Sequence, residues 1–201
     1  GALHYTAAQC TQTGNSKFEL SDGIELEILD SYYYYNKSSS ENDYSVCCMI
    51  NQGASHFLFT GDLEKGGEER LVKMNDLPRV KLFKAGHHGS KTSTNECLLE
   101  VIQPEIICVC CCAGSSEYTS QNDNMFPTQA FVDRVAKYTD KIYVTTLCVN
   151  YEAGNFTSMN GNIVVCSSPS GITVTCSAND TLLKDTDWFK KNRKCPAEWS
   201  K

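Results

Sequence analysis

The segment ASHFLFTGDLEKGGEERLVKMNDLPRVKLFKAGHHGSKTSTNECLLEVIQPEIICVCCC (54–112) decides the fold. It holds two apolar strands that each end in glycine, with a charged helix between them. ASHFLFTG (54–61) is rich in β-branched and aromatic residues and reads as a strand. EKGGEERLVKMND (64–76) reads as a helix with Leu71 and Met74 on one face and charges on the other. VKLFKAG (80–86) is a second strand, and TNECLLEVI (94–102) a short helix that Thr94 or Ser93 would cap. Pro104 breaks that helix, and EIICVCCC (105–112) is a buried strand. Strand, helix, strand, helix, strand is the pattern of side-by-side parallel strands with crossover helices.

Outward from this segment, IELEILD (24–30) alternates like a strand with one wet face. SYYYYNKSSSEND (31–43) is a polar loop, and SVCCMI (45–50) turns into the 54–61 strand through 51–53. On the other side, 114–124 is a loop and 127–138 a helix with Pro127 in its first turn. KIYVTTLCV (141–149) is a strand, 162–177 a hairpin, and 185–193 a short helical or irregular segment. Paired strands at both ends of a β-α-β core make the sheet mixed. The expected class is α/β with an α+β mixed sheet, in one domain over 1–201.

Composition narrows the function. The chain has 201 residues, 41% of them hydrophobic, with 12 cysteines and a net charge of −6. The apolar share suffices for a core and excludes a disordered chain. No apolar run reaches the roughly 20 residues of a membrane helix. The acidic balance argues against a surface that coats nucleic acid, but not against an enzyme with a local metal site. Asn-x-Ser/Thr triplets at Asn36, Asn155 and Asn179 and an even cysteine count fit a secreted disulfide scaffold. The placement of Cys47, Cys48, Cys108 and Cys110–Cys112 in apolar strands instead favours small core residues, reduced and cytoplasmic.

Two strand ends carry the chemistry. Asp62 follows Thr60-Gly61, and His87 and His88 follow Gly86. Carboxylate oxygen and imidazole nitrogen at neighbouring strand ends suit zinc, manganese or iron. Adjacent histidines diverge, so one can bind metal while the other faces substrate. Ser90, Thr92 and Ser93 add hydroxyls, with Ser90 and Ser93 the candidate substrate contacts. His56 lies within a strand and reads as packed, and His4 has no partner at ligand spacing. The Tyr32–Tyr35 run reads as partly buried loop tyrosines rather than a base-stacking surface.

SVCCMINQGASHFLFTGDLEKGGEERLV (45–72) and LPRVKLFKAGHHGSKTSTNECLLEVIQPEIICVC (77–110) resemble the second half of a metallo-β-lactamase-fold domain. The nearest branch is that of ComEC-type DNA-uptake proteins and their soluble relatives, over about 44–112. The resemblance implies an αββα sandwich with one or two divalent ions, zinc or manganese, at its edge. It makes Asp62 a metal-bridging carboxylate, His88 the last ligand and His87 a contact to the substrate phosphate or the attacking water. The activity it implies is hydrolysis of a phosphodiester, small or nucleic acid, by metal-activated water.

Two departures stand out. The His-x-His-x-Asp-His signature of the first half is absent, and the segment before 24 is too short to hold that half. The chain, which starts without Met, therefore reads as the C-terminal portion of the domain, inactive alone and lacking the partner N-terminal half. One sheet face should then be left partly bare. Relatives often carry His-Pro where Phe126-Pro127 stands, which removes a substrate-side histidine. The competing reading is a non-catalytic remnant that serves as a binding or structural module.

Overall fold

A computed structural model of the chain describes residues 2–200. Helix α1 (Ala7–Gln12) opens on a capping box in which Thr6 and Gln9 bond each other's backbone N–H. Strands β1 (Lys17–Ser21), β2 (Ile24–Ile28), β3 (Cys48–Gln52) and β4 (Ser55–Phe59) follow. Then come α2 (Lys65–Met74), β5 (Leu82–Lys84), α3 (Glu96–Ile102), β6 (Ile106–Ala113), α4 (Gln129–Val135), β7 (Ile142–Asn150) and β8 (Asn155–Ser158). Hairpin strands β9 (Ile163–Ser168) and β10 (Gly171–Cys176) and helix α5 (Asp187–Asn192) end the chain.

Strands β1 to β8 form one eight-stranded sheet in sequence order. The outer pairs are antiparallel, whereas β4, β5, β6 and β7 run parallel, with Phe57 opposite Leu82 and Leu82 opposite Ile106. Each parallel step is spanned by one helix, as a crossover requires. The expected α/β class with a mixed sheet is what the structure shows.

One face of the sheet holds the main core. Leu58, Phe83, Ile107 and Val109 meet Leu71 of α2, Leu98 and Leu99 of α3, and Phe131 and Val135 of α4. Each such fully buried side chain contributes roughly 1.5–3 kcal/mol. The opposite face carries Leu82, Ile106 and Cys108 with half-buried Phe57, Phe59 and Tyr143. The β9–β10 hairpin lies over it, through Ile163, Val165, Ile172 and Val174. A groove of about 790 Å³ stays open between hairpin and sheet.

Several local expectations are corrected. Asn95, not Thr94 or Ser93, is the N-cap residue of α3, because Thr94 turns left-handed (φ 62) just before it. Helix α4 starts two residues after Pro127, behind Thr128, whose hydroxyl accepts the Phe131 N–H. Met74 is 39% exposed, since Glu68 rather than Met74 shares the buried face with Leu71. The 80–86 strand shrinks to three residues. The 31–43 loop contains two 3-10 turns, Tyr32–Tyr34 and Glu41–Tyr44, pinned by Arg70 lying 3.7 Å over the Tyr32 ring and by the Cys47 N–H donating to the Tyr34 hydroxyl. Strands β1 and β8 and helix α1 are additions that weak polar patterns concealed.

All twelve cysteines are free. Cys108 and Cys111 face opposite sides of β6, one toward each apolar cluster. Burial pushes the Cys108 thiol up to about 12 and that of Cys112 to about 11. Thiols so raised are almost wholly protonated at neutral pH and act as small apolar side chains.

Candidate functional site

The carboxyl ends of β4, β5 and β6 form the site. After β4 the chain passes Thr60 and turns at Gly61 (φ 58), where a Cβ would stand 2.7 Å from Ser45 Oγ. That close approach lets the Ser45 hydroxyl accept the Asp62 backbone N–H at 2.9 Å, fixing where the carboxylate starts. The Gly61 carbonyl accepts the His87 N–H at 3.0 Å and so ties the two strand ends together. The Thr60 hydroxyl lies buried between them with no hydrogen-bond partner.

The histidines occupy an unusual backbone. His87 (φ 44, ψ 48) and His88 (φ 57, ψ 23) are both left-handed, between Gly86 and Gly89. Left-handed non-glycine residues cost on the order of 1–3 kcal/mol each and persist only where the surroundings fix them. Here the fixing is extensive. Thr128 donates both its N–H (2.9 Å) and its hydroxyl (3.1 Å) to the Gly89 carbonyl. The Arg134 guanidinium donates to the carbonyls of Thr94 (2.9 Å), Ser93 (2.8 Å) and Ser90 (3.3 Å). Buried Glu68 accepts from the Thr94 N–H (2.5 Å), the Asn95 N–H (2.9 Å) and the Asn95 amide (2.7 Å). Burial pushes the Glu68 carboxyl up, while those donors and the Arg134 charge pull it back.

The strained turn aims the imidazoles in different directions. His88 Nδ1 lies 2.6 Å from the Cys110 carbonyl, which can only accept, so Nδ1 carries the proton. In the neutral ring Nε2 then presents a bare lone pair, and Asp62 Oδ1 faces it at 3.7 Å. At that separation the two atoms are too far apart for a good hydrogen bond. The spacing is close to the roughly 3.3–3.5 Å between two ligands of a tetrahedral ion held at 2.0–2.2 Å. His87 turns the other way, with Nδ1 3.4 Å from the Thr92 hydroxyl and 4.0 Å from Glu64 Oε1.

Asp62 and His88 are thus brought together as expected, and His87 stands beside them on a separate wall. Ser90 and Ser93 are placed differently from the other expected residues. Both are buried, Ser93 donating to the Leu63 carbonyl at 2.7 Å and Ser90 sharing a bond with Thr92. Their hydrogen bonds lie within the loop and at its base. His56 is half-buried and bonded to Asn51, as a packed residue should be. Among the described residues no three His, Cys, Asp or Glu side chains converge on one point. Asp62 and His88 fit a divalent ion as two of its donors, one fewer than the three protein ligands typical of catalytic zinc.

Residue pattern by itself assigns no role to Glu68, Asn95, Arg134 or Ser45. A signal existed for one of them: Glu68 stands three residues before Leu71, on the helix face that packs. Beside His88 a second wall also escaped notice, made of Phe126 and Tyr118 around a recess of about 210 Å³.

No family model matches the chain. It is similar to Recombination protein 2 of Haemophilus influenzae, at 26% identity over 125 residues. It is likewise similar to ComE operon protein 3 of Bacillus subtilis, at 41% over 94 residues, and to Competence protein ComA of Neisseria gonorrhoeae, at 32% over 127. These matches cover 62%, 43% and 63% of this chain but only 14%, 12% and 17% of the relatives. The chain is therefore similar to a small portion of competence and recombination proteins from three bacteria.

Proposed function

We propose that this chain is part of a metal-dependent phosphodiesterase of the metallo-β-lactamase type, to which it contributes Asp62 and His88 as ligands. The observation that carries the reading is His88 Nε2 facing Asp62 Oδ1 at 3.7 Å, with Nδ1 fixed on the Cys110 carbonyl. Fixing one imidazole nitrogen on a carbonyl is how proteins set the tautomer of a metal-binding histidine. A bound divalent ion, zinc or manganese, supplies Lewis acidity toward a phosphoryl oxygen. The chain's own residues do the rest of the positioning. Ser45 and Gly61 set the Asp62 carboxylate, the Cys110 carbonyl orients His88, and His87, beside Thr92 and Glu64, would contact the substrate. The names of the relatives, which speak of recombination and competence, favour a nucleic-acid phosphodiester.

Two protein donors are fewer than a catalytic ion needs, and on this reading a further segment supplies the others. The isolated chain is expected to bind manganese weakly, in titrations followed by the paramagnetic signal of the free ion, and to lose that binding in Asp62→Ala and His88→Ala. It is expected not to turn over a generic aryl phosphodiester. Binding unchanged in both variants would remove the metal reading, and turnover that Asp62→Ala abolishes would show the ligand set to be complete. The competing reading, a binding module without chemistry, draws on the lack of a three-donor cluster among the described residues. It gains if no divalent ion binds at all.

A further inference from the structure

We infer that Tyr118 and Phe126 form a stacking subsite beside the candidate site that takes an unpaired nucleobase of the strand whose phosphodiester reaches Asp62 and His88. This inference rests on the phosphodiesterase reading and adds to it the state of the base next to the scissile bond.

Phe126 is half-exposed, with its ring centroid 6.1 Å from that of His88 in a stacked arrangement (28°) and 5.9 Å from that of His87. Tyr118 continues the wall, with its centroid 5.8 Å from Phe126. Its residue is 74% exposed, although an aromatic ring of that size usually buries most of its surface. The neighbouring Glu117 side chain raises the proton affinity of the Tyr118 hydroxyl. The recess against these rings, about 210 Å³, reaches His88 at one end and is rimmed by Ser115, Thr119 and Asn124. It admits one flat heterocycle but not a base pair. Hydroxyl and amide groups at the rim offer both donors and acceptors, so the edge would discriminate little among bases.

Physical chemistry favours a base over other flat groups here. A phosphate alone gains nothing from an aromatic face, whereas the flat ring of a base stacks on it. Stacking on an aromatic wall is insensitive to base identity and is worth about tenfold or more in affinity per base. A duplex keeps its bases stacked on each other and cannot use the recess without unpairing. The Tyr32–Tyr35 run does not supply this surface, since Arg70 lies over Tyr32 and Tyr34 accepts a backbone bond.

The test uses the whole chain in low salt with manganese present. It compares a short fluorescent oligodeoxythymidylate with an abasic oligomer of the same length and charge, by anisotropy. The base-bearing strand should bind about tenfold tighter. That preference should vanish in Tyr118→Ala and Phe126→Leu and persist in Tyr118→Phe. Tyr118→Ala touches an exposed side chain, so its circular dichroism should match the parent and keep the test valid if Phe126→Leu misfolds. Equal binding of both oligomers overturns the subsite and leaves the phosphodiester reading standing. A preference that survives in Tyr118→Ala and Phe126→Leu also overturns the subsite. Binding of neither oligomer, or binding of both that Asp62→Ala leaves unchanged, counts against the phosphodiester reading, and the subsite falls with it.

Discussion

His87 and His88 sit where few non-glycine residues sit, in consecutive left-handed conformations (φ 44 and 57). Strain of this kind is maintained by its surroundings, and it concentrates where a side chain has to be aimed. Removing the ring at His88 in two ways separates backbone strain from side-chain contact. His88→Ala and His88→Gly both lose the bond to the Cys110 carbonyl and the contact with Phe126. Only glycine relieves the positive φ. His88→Gly should therefore be more stable than His88→Ala by about 1 kcal/mol in urea unfolding, despite the greater freedom of unfolded glycine. Alanine equal to or better than glycine would mean that the turn stores no strain.

One level up, the loop from Gly86 to Asn95 is a rigid element without regular structure. It is held from beneath by α2 through Glu68 and from the side by α4 through Arg134 and Thr128. Its serines and threonines face inward to complete that network, which is why the hydroxyls that the sequence placed near substrate are buried. Glu68 is the hub, with three N–H donors on one carboxylate. Glu68→Gln replaces an oxygen acceptor by an amide that itself donates. It should cost about 1–3 kcal/mol, because a buried donor is left unpaired. The Thr94 and Asn95 amides should also exchange with solvent faster, by hydrogen exchange read by NMR. Stability and exchange unchanged from the parent would show that Arg134 holds the loop without Glu68.

Over the whole molecule, the two faces of the eight-stranded sheet differ. Three crossover helices seal one face, while a two-stranded hairpin covers the other incompletely and leaves the 790 Å³ groove. A partly bare apolar face was expected from the motif content of the chain, and the groove lined by Phe57, Phe59, Leu82, Ile163 and Val165 matches it. A polarity-sensitive dye should brighten on the native chain. Val165→Lys, which places a charge in the groove, should remove most of that signal while leaving the unfolding midpoint close to the parent's. A native chain that does not brighten the dye would mean that the hairpin closes over the sheet.

The order of strands and helices, the mixed sheet and the pairing of Asp62 with a histidine were legible from residue pattern. Apolar period, strand-ending glycines and prolines act over a few residues, so each leaves its mark in the chain itself. The same pattern misjudged Met74 and the cap of α3, and it did not show that Ser90 and Ser93 are buried. What the loop serines do depends on groups 30 to 41 positions away, such as Leu63 for Ser93 and Arg134 for the whole loop. Nor did the pattern reveal the tautomer of His88 or the wall of Tyr118 and Phe126. Those needed the Cys110 carbonyl and the 114–126 loop brought alongside the turn. Side-chain chemistry is local, but the hydrogen bonds and burial that direct it are set by contacts far apart in the chain.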